Sequence, residues 1–164
     1  MLRCCGSGAS PDHVIGIASP SGDAFTSQAN FNSNYGLDNQ LRITYGAAGN
    51  DLRWAYLKFN LPDVSHMTTA TLRLFGSTST TNSDVLLFAA GSSNWDENSI
   101  NWSNQPGFTG SALTYRTILD STGRWYDFDV TSYLLSEAAA GHTTVAFAMT
   151  QWNDGVEIDF NSTE

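Results

Sequence analysis

Residues 54–61 read Trp54-Ala55-Tyr56-Leu57-Lys58-Phe59-Asn60-Leu61, and their two-residue alternation decides the fold. Successive side chains of a strand point to opposite faces, so Leu57, Phe59 and Leu61 share one apolar face and Trp54, Tyr56 and Lys58 share the other. The first face belongs against a core. The second carries two aromatic rings beside a cation, the makings of a stacking platform if it meets solvent.

The same alternation recurs outward from this stretch, at Ala70-Leu72-Leu74, Tyr126-Phe128-Val130, Val145-Phe147-Met149 and Val156-Ile158-Phe160. Further extended segments are expected over 13–18, 23–27, 41–45, 84–90 and 113–119, with the Asn-rich segment 28–40 as a long loop. Many short strands joined by turn-rich loops fold as an antiparallel sandwich rather than a parallel α/β sheet. One short helix is expected after the capping residue Asp129, over 132–138, with a stop at Gly141. Residues 1–12 read as a tail and 13–164 as one sandwich domain.

A chain of 164 residues with 41% hydrophobic content can bury one real core. Sixteen Asp and Glu against 7 Lys and Arg give a net charge of −9, whose field repels nucleic acid, anionic lipid and polyanionic sugars. A nucleic-acid partner is therefore excluded. No apolar run reaches the roughly 20 residues of a membrane helix, so no membrane span is expected. The first residues also lack the apolar core of a secretion signal. Abundant Ser, Thr, Asn and Gly, with Lys58 as the only lysine, suit a secreted β-protein.

Signals for catalysis are missing: there is no Gly-x-Ser-x-Gly elbow and no phosphate-binding loop, and His13, His66 and His142 stand apart from any cysteine pair. The chain is not expected to be an enzyme. The carboxylate pairs Asp127 with Asp129 and Glu157 with Asp159 read as exposed strand faces rather than as general acid and base. Cys4 and Cys5 are adjacent, an awkward spacing for a disulfide between them. They are either part of a linker or a covalent tie to another chain.

A series of short motifs runs through these segments. It opens with Asp23-Ala24-Phe25 and Asn32-Ser33-Asn34-Tyr35-Gly36, then Tyr56-Leu57-Lys58-Phe59 and Ala70-Thr71-Leu72-Arg73-Leu74. It continues with Trp95, Glu97, Ile100, Trp102, Asn104 and Pro106, and with Trp125-Tyr126-Asp127-Phe128-Asp129-Val130-Thr131. In this order they resemble the jelly-roll modules called DNRLRE domains, grouped with the disaggregatase-related repeat and the family 96 carbohydrate-binding modules. The resemblance covers residues 23–164. It implies an all-β antiparallel jelly-roll sandwich, an extracellular or cell-surface setting and a polysaccharide partner. Members usually end in Phe-Ser-Ser-Arg-Glu and a further strand. Here Phe160-Asn161-Ser162-Thr163-Glu164 carries Thr for Arg and no strand follows, so the sandwich is expected to lack its last strand. Alginate, which some members bind, is a poor match for the acidic charge, which leaves a neutral or weakly charged glycan.

The site expected from the residues is a stacking surface of Trp54, Tyr56 and Trp152, with Lys58 and Arg73 fixing orientation. Trp95, Trp102 and Trp125 are expected as core or loop anchors. Asp23, Asn34 and Glu164 offer the hard oxygens of a structural Ca2+ site. The alternative partner is a copy of the same chain, in an extracellular fibre or surface layer. There the segment 13–18, through His13, Val14, Ile15 and Ile17, would be donated into the gap of a neighbour, with Cys4 and Cys5 at the same junction.

Overall fold

Residues that alternate in the sequence alternate between core and surface in the structure, a computed structural model that describes residues 1–6, 14–46 and 51–163, with backbone alone for Val14 and Ile15. The strands are β1 Leu2–Gly6, β2 Val14–Ala18, β3 Gly22–Ser27, β4 Gln40–Thr44, β5 Arg53–Asn60, β6 Met67–Thr78, β7 Ser83–Ala90, β8 Phe108–Ile118, β9 Arg124–Asp129, β10 Thr144–Thr150 and β11 Glu157–Asn161. The single helix among the described residues is α1, Thr131–Ala139. All pairings between these strands are antiparallel.

Two layers result. A front sheet is built around β6, with β1 and then β11 on one edge and β9 on the other; β2 extends it beyond β1 and β4 beyond β11. A back sheet runs β3-β5-β10-β7-β8, joined to the front by the Thr44–Arg53 pair. The inner faces meet in one core, with Leu2, Leu72, Phe128 and Phe160 from the front and Leu57, Phe59, Val85 and Phe147 from the back. Phe59 meets Phe147 edge-on at 6.1 Å, and Phe128 meets Phe160 at 6.4 Å. Each such buried side chain contributes about 1.5–3 kcal/mol relative to exposure. The fold is the expected all-β antiparallel sandwich with one short helix.

Three expectations are corrected. Leu2–Gly6 is a strand rather than a tail, paired with β2 on one edge and with β6 on the other. Leu2 and Cys4 point into the core, and Cys5, next along the strand, points the other way. Both cysteines are free, as opposite faces require. Second, the edge of β6 along Met67–Leu72, for which the sequence reading named no partner, pairs with β1, and β2 pairs with β1 of the same chain. Ile17 of β2 is exposed, the side chains of Val14 and Ile15 are not described, and His13 lies outside the described residues. Third, β8 starts at Phe108, five residues before the expected 113, because Gly107 and Gly110 adopt φ of 66° and 68° and bend a strand that reads as a loop.

The N-cap of the helix is Val130, one residue past the expected Asp129, whose Oδ1 accepts from the Thr131 N–H at 3.0 Å and from its hydroxyl at 2.7 Å. The helix stops at Gly141, with φ 79°. Leu134 enters the core and Tyr133 lies edge-on to Phe147 at 5.3 Å, so α1 covers one end of the sandwich.

Candidate glycan-binding surface

Strand alternation does place Trp54, Tyr56 and Lys58 on the outer face of β5. That face is covered. The segment 91–108 folds back over the back sheet and forms a second small core of Tyr56, Trp95, Ile100, Ala24 and Ala148, with Trp54 and Phe108 packed against it. Tyr56 is fully buried, and its hydroxyl donates to Gln105 Oε1 at 3.2 Å, an oxygen that also accepts from Thr26 Oγ1 at 2.5 Å. Burial pushes its phenol well above the ordinary range. Trp54 packs on Trp102 at 5.1 Å and on Phe108 at 4.9 Å. Lys58 donates to the Trp95 carbonyl and lies 4.6 Å from the Trp95 ring centroid. The expected platform is thus corrected to an internal layer. Its apolar partners, Trp95, Ile100 and Phe108, needed a surface to bury against, and β5 supplied it.

The loop 28–39 fastens that cover. Asn34 donates its amide hydrogens to the carbonyls of Glu97 and Ile100, both at 2.7 Å, and its Oδ1 accepts from the Gly36 N–H at 3.2 Å. A Cβ on Gly36 would lie 2.0 Å from the Glu97 carbonyl oxygen, so only glycine lets the two loops close.

The open aromatic surface is on the other sheet. Along β6 and β9 the register sets Arg73 opposite Asp127 and Phe75 opposite Trp125, all on the outer face. Trp125 is 55% exposed and meets Phe75 edge-on at 5.3 Å, with planes at 70°. The Arg73 Nε lies 2.9 Å from Asp127 Oδ1, an ion pair without the angle of a directed hydrogen bond, and the guanidinium carbon lies 5.6 Å from the Trp125 centroid. Arg73, expected to extend the platform of Trp54 and Tyr56, lies on the outer face of the other sheet instead. Trp125, expected as an anchor, is corrected to a surface ring. The signal was available: Tyr126, Phe128 and Val130 point inward, so Trp125, Asp127 and Asp129 must point out.

Beside this pair β6 changes partner. β1 accompanies it to Leu72, the Met1 backbone closes on Arg73, and β11 takes over at Gly76. A cavity of about 480 Å3 is lined here by Met1, Arg73, Phe75 and Trp125 and by the buried Asp23, Leu57 and Leu74. Asp23 Oδ1 accepts from Ser162 Oγ at 2.9 Å, and Oδ2 from the Thr163 N–H at 3.2 Å and hydroxyl at 3.1 Å.

The remaining expected residues lie elsewhere. Trp152 stands in the β10–β11 loop, 66% exposed, beyond a buried Gln151 that donates to the carbonyls of Ile43 and Val156. For calcium, Asp23 gives its oxygens to the 162–163 segment and Asn34 turns its NH2 toward carbonyls. In this structure both side chains serve hydrogen bonds, and Glu164 lies outside the described residues. No cluster of three or more His, Cys, Asp or Glu with metal-holding geometry occurs among the described residues. Three of the four strand carboxylates are engaged in the framework, whereas Asp159 Oδ1 is buried without a hydrogen-bond partner among the described residues. Asp127 pairs with Arg73, Asp129 accepts from Thr131 at the start of α1, and Glu157 lies 2.5 Å from Arg53. Asp159 faces Arg42 across β4, its carboxyl pushed up to about 6, chiefly by burial and then by Glu157, against the pull of Arg42 and Arg53. No described helix is long and apolar enough to cross a membrane.

Three comparisons bear on this geometry. The model for carbohydrate-binding module family 96 matches residues 17–164. A gellan lyase of a Bacillus species is 29% identical over 137 residues, 79% of this chain but only 5% of the length of that protein. Among solved structures, the cleaved K1 adhesin domain of Lys-gingipain from Porphyromonas gingivalis aligns over 88% of this chain and 89% of its own, at 16% identity and a TM-score of 0.30. Similarity at that level carries no inference about this chain.

Proposed function

The chain belongs to carbohydrate-binding module family 96, and from that premise we propose that it holds a polysaccharide outside the cell, without chemistry of its own, on the outer face of β6 and β9. The observation that carries the proposal is the exposed Trp125 ring, steadied edge-on by Phe75 and flanked by the Arg73–Asp127 pair. A pyranose ring lays its C–H face on an indole, and the paired charges beside it offer a donor and an acceptor to the hydroxyls. The structural duties of Asp127, Asp129 and Glu157 support a binding role rather than a hydrolytic one.

The gellan lyase relative makes gellan the first polysaccharide to offer, with xylan, mixed-linkage β-glucan and galactomannan as neutral counterparts. Affinity electrophoresis on these four should show retardation that Trp125→Ala and Arg73→Met each weaken by about tenfold or more, as loss of a central aromatic or arginine contact does. Trp152→Ala should leave it unchanged. Loss with Trp152→Ala alone would move the site to the β10–β11 loop, and retention by both front-sheet variants would refute the assignment.

A further inference from the structure

We propose that a second sugar site lies beside the end of α1, in a cavity of about 500 Å3 framed by α1 and by the ends of β7, β8 and β10; this rests on the carbohydrate-binding reading above. Its described lining shares no residue with the front-sheet surface of Trp125. Small side chains open it. Ala89 and Ala90 close β7, Gly91 follows, and Ala146 stands next to them on β10, so the strands leave the space beside α1 unfilled. Tyr133 of α1 lines that space without filling it, because its ring is held edge-on to Phe147 at 5.3 Å and its hydroxyl donates to the Ala146 carbonyl at 3.3 Å.

Polar groups converge on this cavity. Gly141, at φ 79°, turns the chain back so that the His142 N–H donates to the Glu137 carbonyl at 3.0 Å, and His142 Nδ1 lies 2.7 Å from Glu137 Oε2. An ionised carboxylate only accepts, so Nδ1 carries the hydrogen of this pair, which leaves His142 Nε2 and Glu137 Oε1 for a ligand. Ser93, Thr109 and Thr144 also line the cavity, and none of their hydroxyls has a hydrogen-bond partner among the described residues. There is no Lys or Arg in the described lining, so a phosphate or a uronate finds no cation here. A neutral sugar, whose hydroxyls both donate and accept, matches these groups, and the half-buried Tyr133 ring gives it an apolar wall. The volume falls within the range for small-ligand sites, about 300–1,000 Å3. With no exposed indole to stack on, this site is the weaker of the two. A module with two such sites ties neighbouring glycan chains together.

The test uses the intact chain and whichever of the four polysaccharides it binds. Calorimetric titration with oligosaccharides cut from that polysaccharide should give two binding events per chain. The double variant His142→Ala/Thr144→Val should lose the weaker event at an unchanged melting temperature, and Trp125→Ala should lose the stronger; only the parent should cross-link the intact polysaccharide into a turbid mixture. A single event that Trp125→Ala abolishes and the double variant keeps would overturn the second site and leave the front-sheet reading standing. A single event lost in the double variant alone would confine the sugar to the α1 cavity and overturn the front-sheet assignment instead. Absence of binding to all four polysaccharides would overturn both.

Discussion

Replacing Tyr56 by Phe separates the two possible roles of the β5 outer face. Tyr56 is fully buried under 91–108, and its hydroxyl donates to Gln105 Oε1 at 3.2 Å. A net neutral hydrogen bond is worth about 0.5–1.5 kcal/mol. Gln105 Oε1 keeps its second donor, Thr26 Oγ1, but the phenol also accepts from the Gly107 backbone, so the whole of that range applies. At about 2–4 °C per kcal/mol for a domain of this size, the melting temperature should fall by about 1–6 °C. Affinity for any glycan should not move, because no sugar reaches this ring. Tyr56→Ala would remove the ring itself, at a cost of about 3–5 kcal/mol, a large part of a typical stability of about 5–15 kcal/mol. Thermal melts by circular dichroism, paired with affinity electrophoresis, read both quantities. A Tyr56→Phe protein that melts like the parent but loses glycan would refute the covered-face reasoning.

Three further outcomes follow from the geometry. Gly36→Ala should detach the 28–39 loop from the 94–104 segment, since its Cβ would meet the Glu97 carbonyl at 2.0 Å; hydrogen exchange at Ile100 and Gln105 should quicken while the β10 amides stay protected. Asp159 has a folded pKa raised to about 6 from an ordinary 3.8, so the folded state binds the extra proton and stability rises as pH falls from about 6 toward 3.8. Asp159→Asn should flatten that part of the pH profile and melt higher than the parent at pH 7; a steeper profile would contradict the sign. A thiol reagent should label Cys5 in the native protein and reach Cys4 only on unfolding, because Cys4 is buried and burial pushes its thiol up.

The sandwich was legible because its strands repeat every two residues with large apolar side chains on one face. The site was less so, for a physical reason. Alternation around Tyr56 and Lys58 reports which side of the sheet a residue faces, and it is silent on what lies above that side. The cover comes from Trp95, Ile100 and Phe108, remote in sequence and themselves in need of burial. The same rule applied to residues 124–129 would have exposed Trp125, but its place in a motif drew attention to packing instead. β1 escaped notice because Leu2, Cys4 and Gly6 alternate over only five residues, with adjacent cysteines that suggest a linker. A carboxylate or amide oxygen such as those of Asp23 and Asn34 serves a hydrogen bond as readily as a cation, and sequence alone does not say which. Their partners, at 162–163 and at 97–100, are distant in the chain and known only once it is folded.

The most direct test of the front-sheet site is a 1H–15N chemical-shift titration of the assigned protein with oligosaccharides cut from whichever of the four polysaccharides it binds. The account predicts that the largest shifts fall on the amides of Arg73, Phe75, Trp125 and Asp127 and on the Trp125 indole N–H. Shifts centred instead on Trp54, Tyr56 and Gln105, or on Trp152, would contradict it.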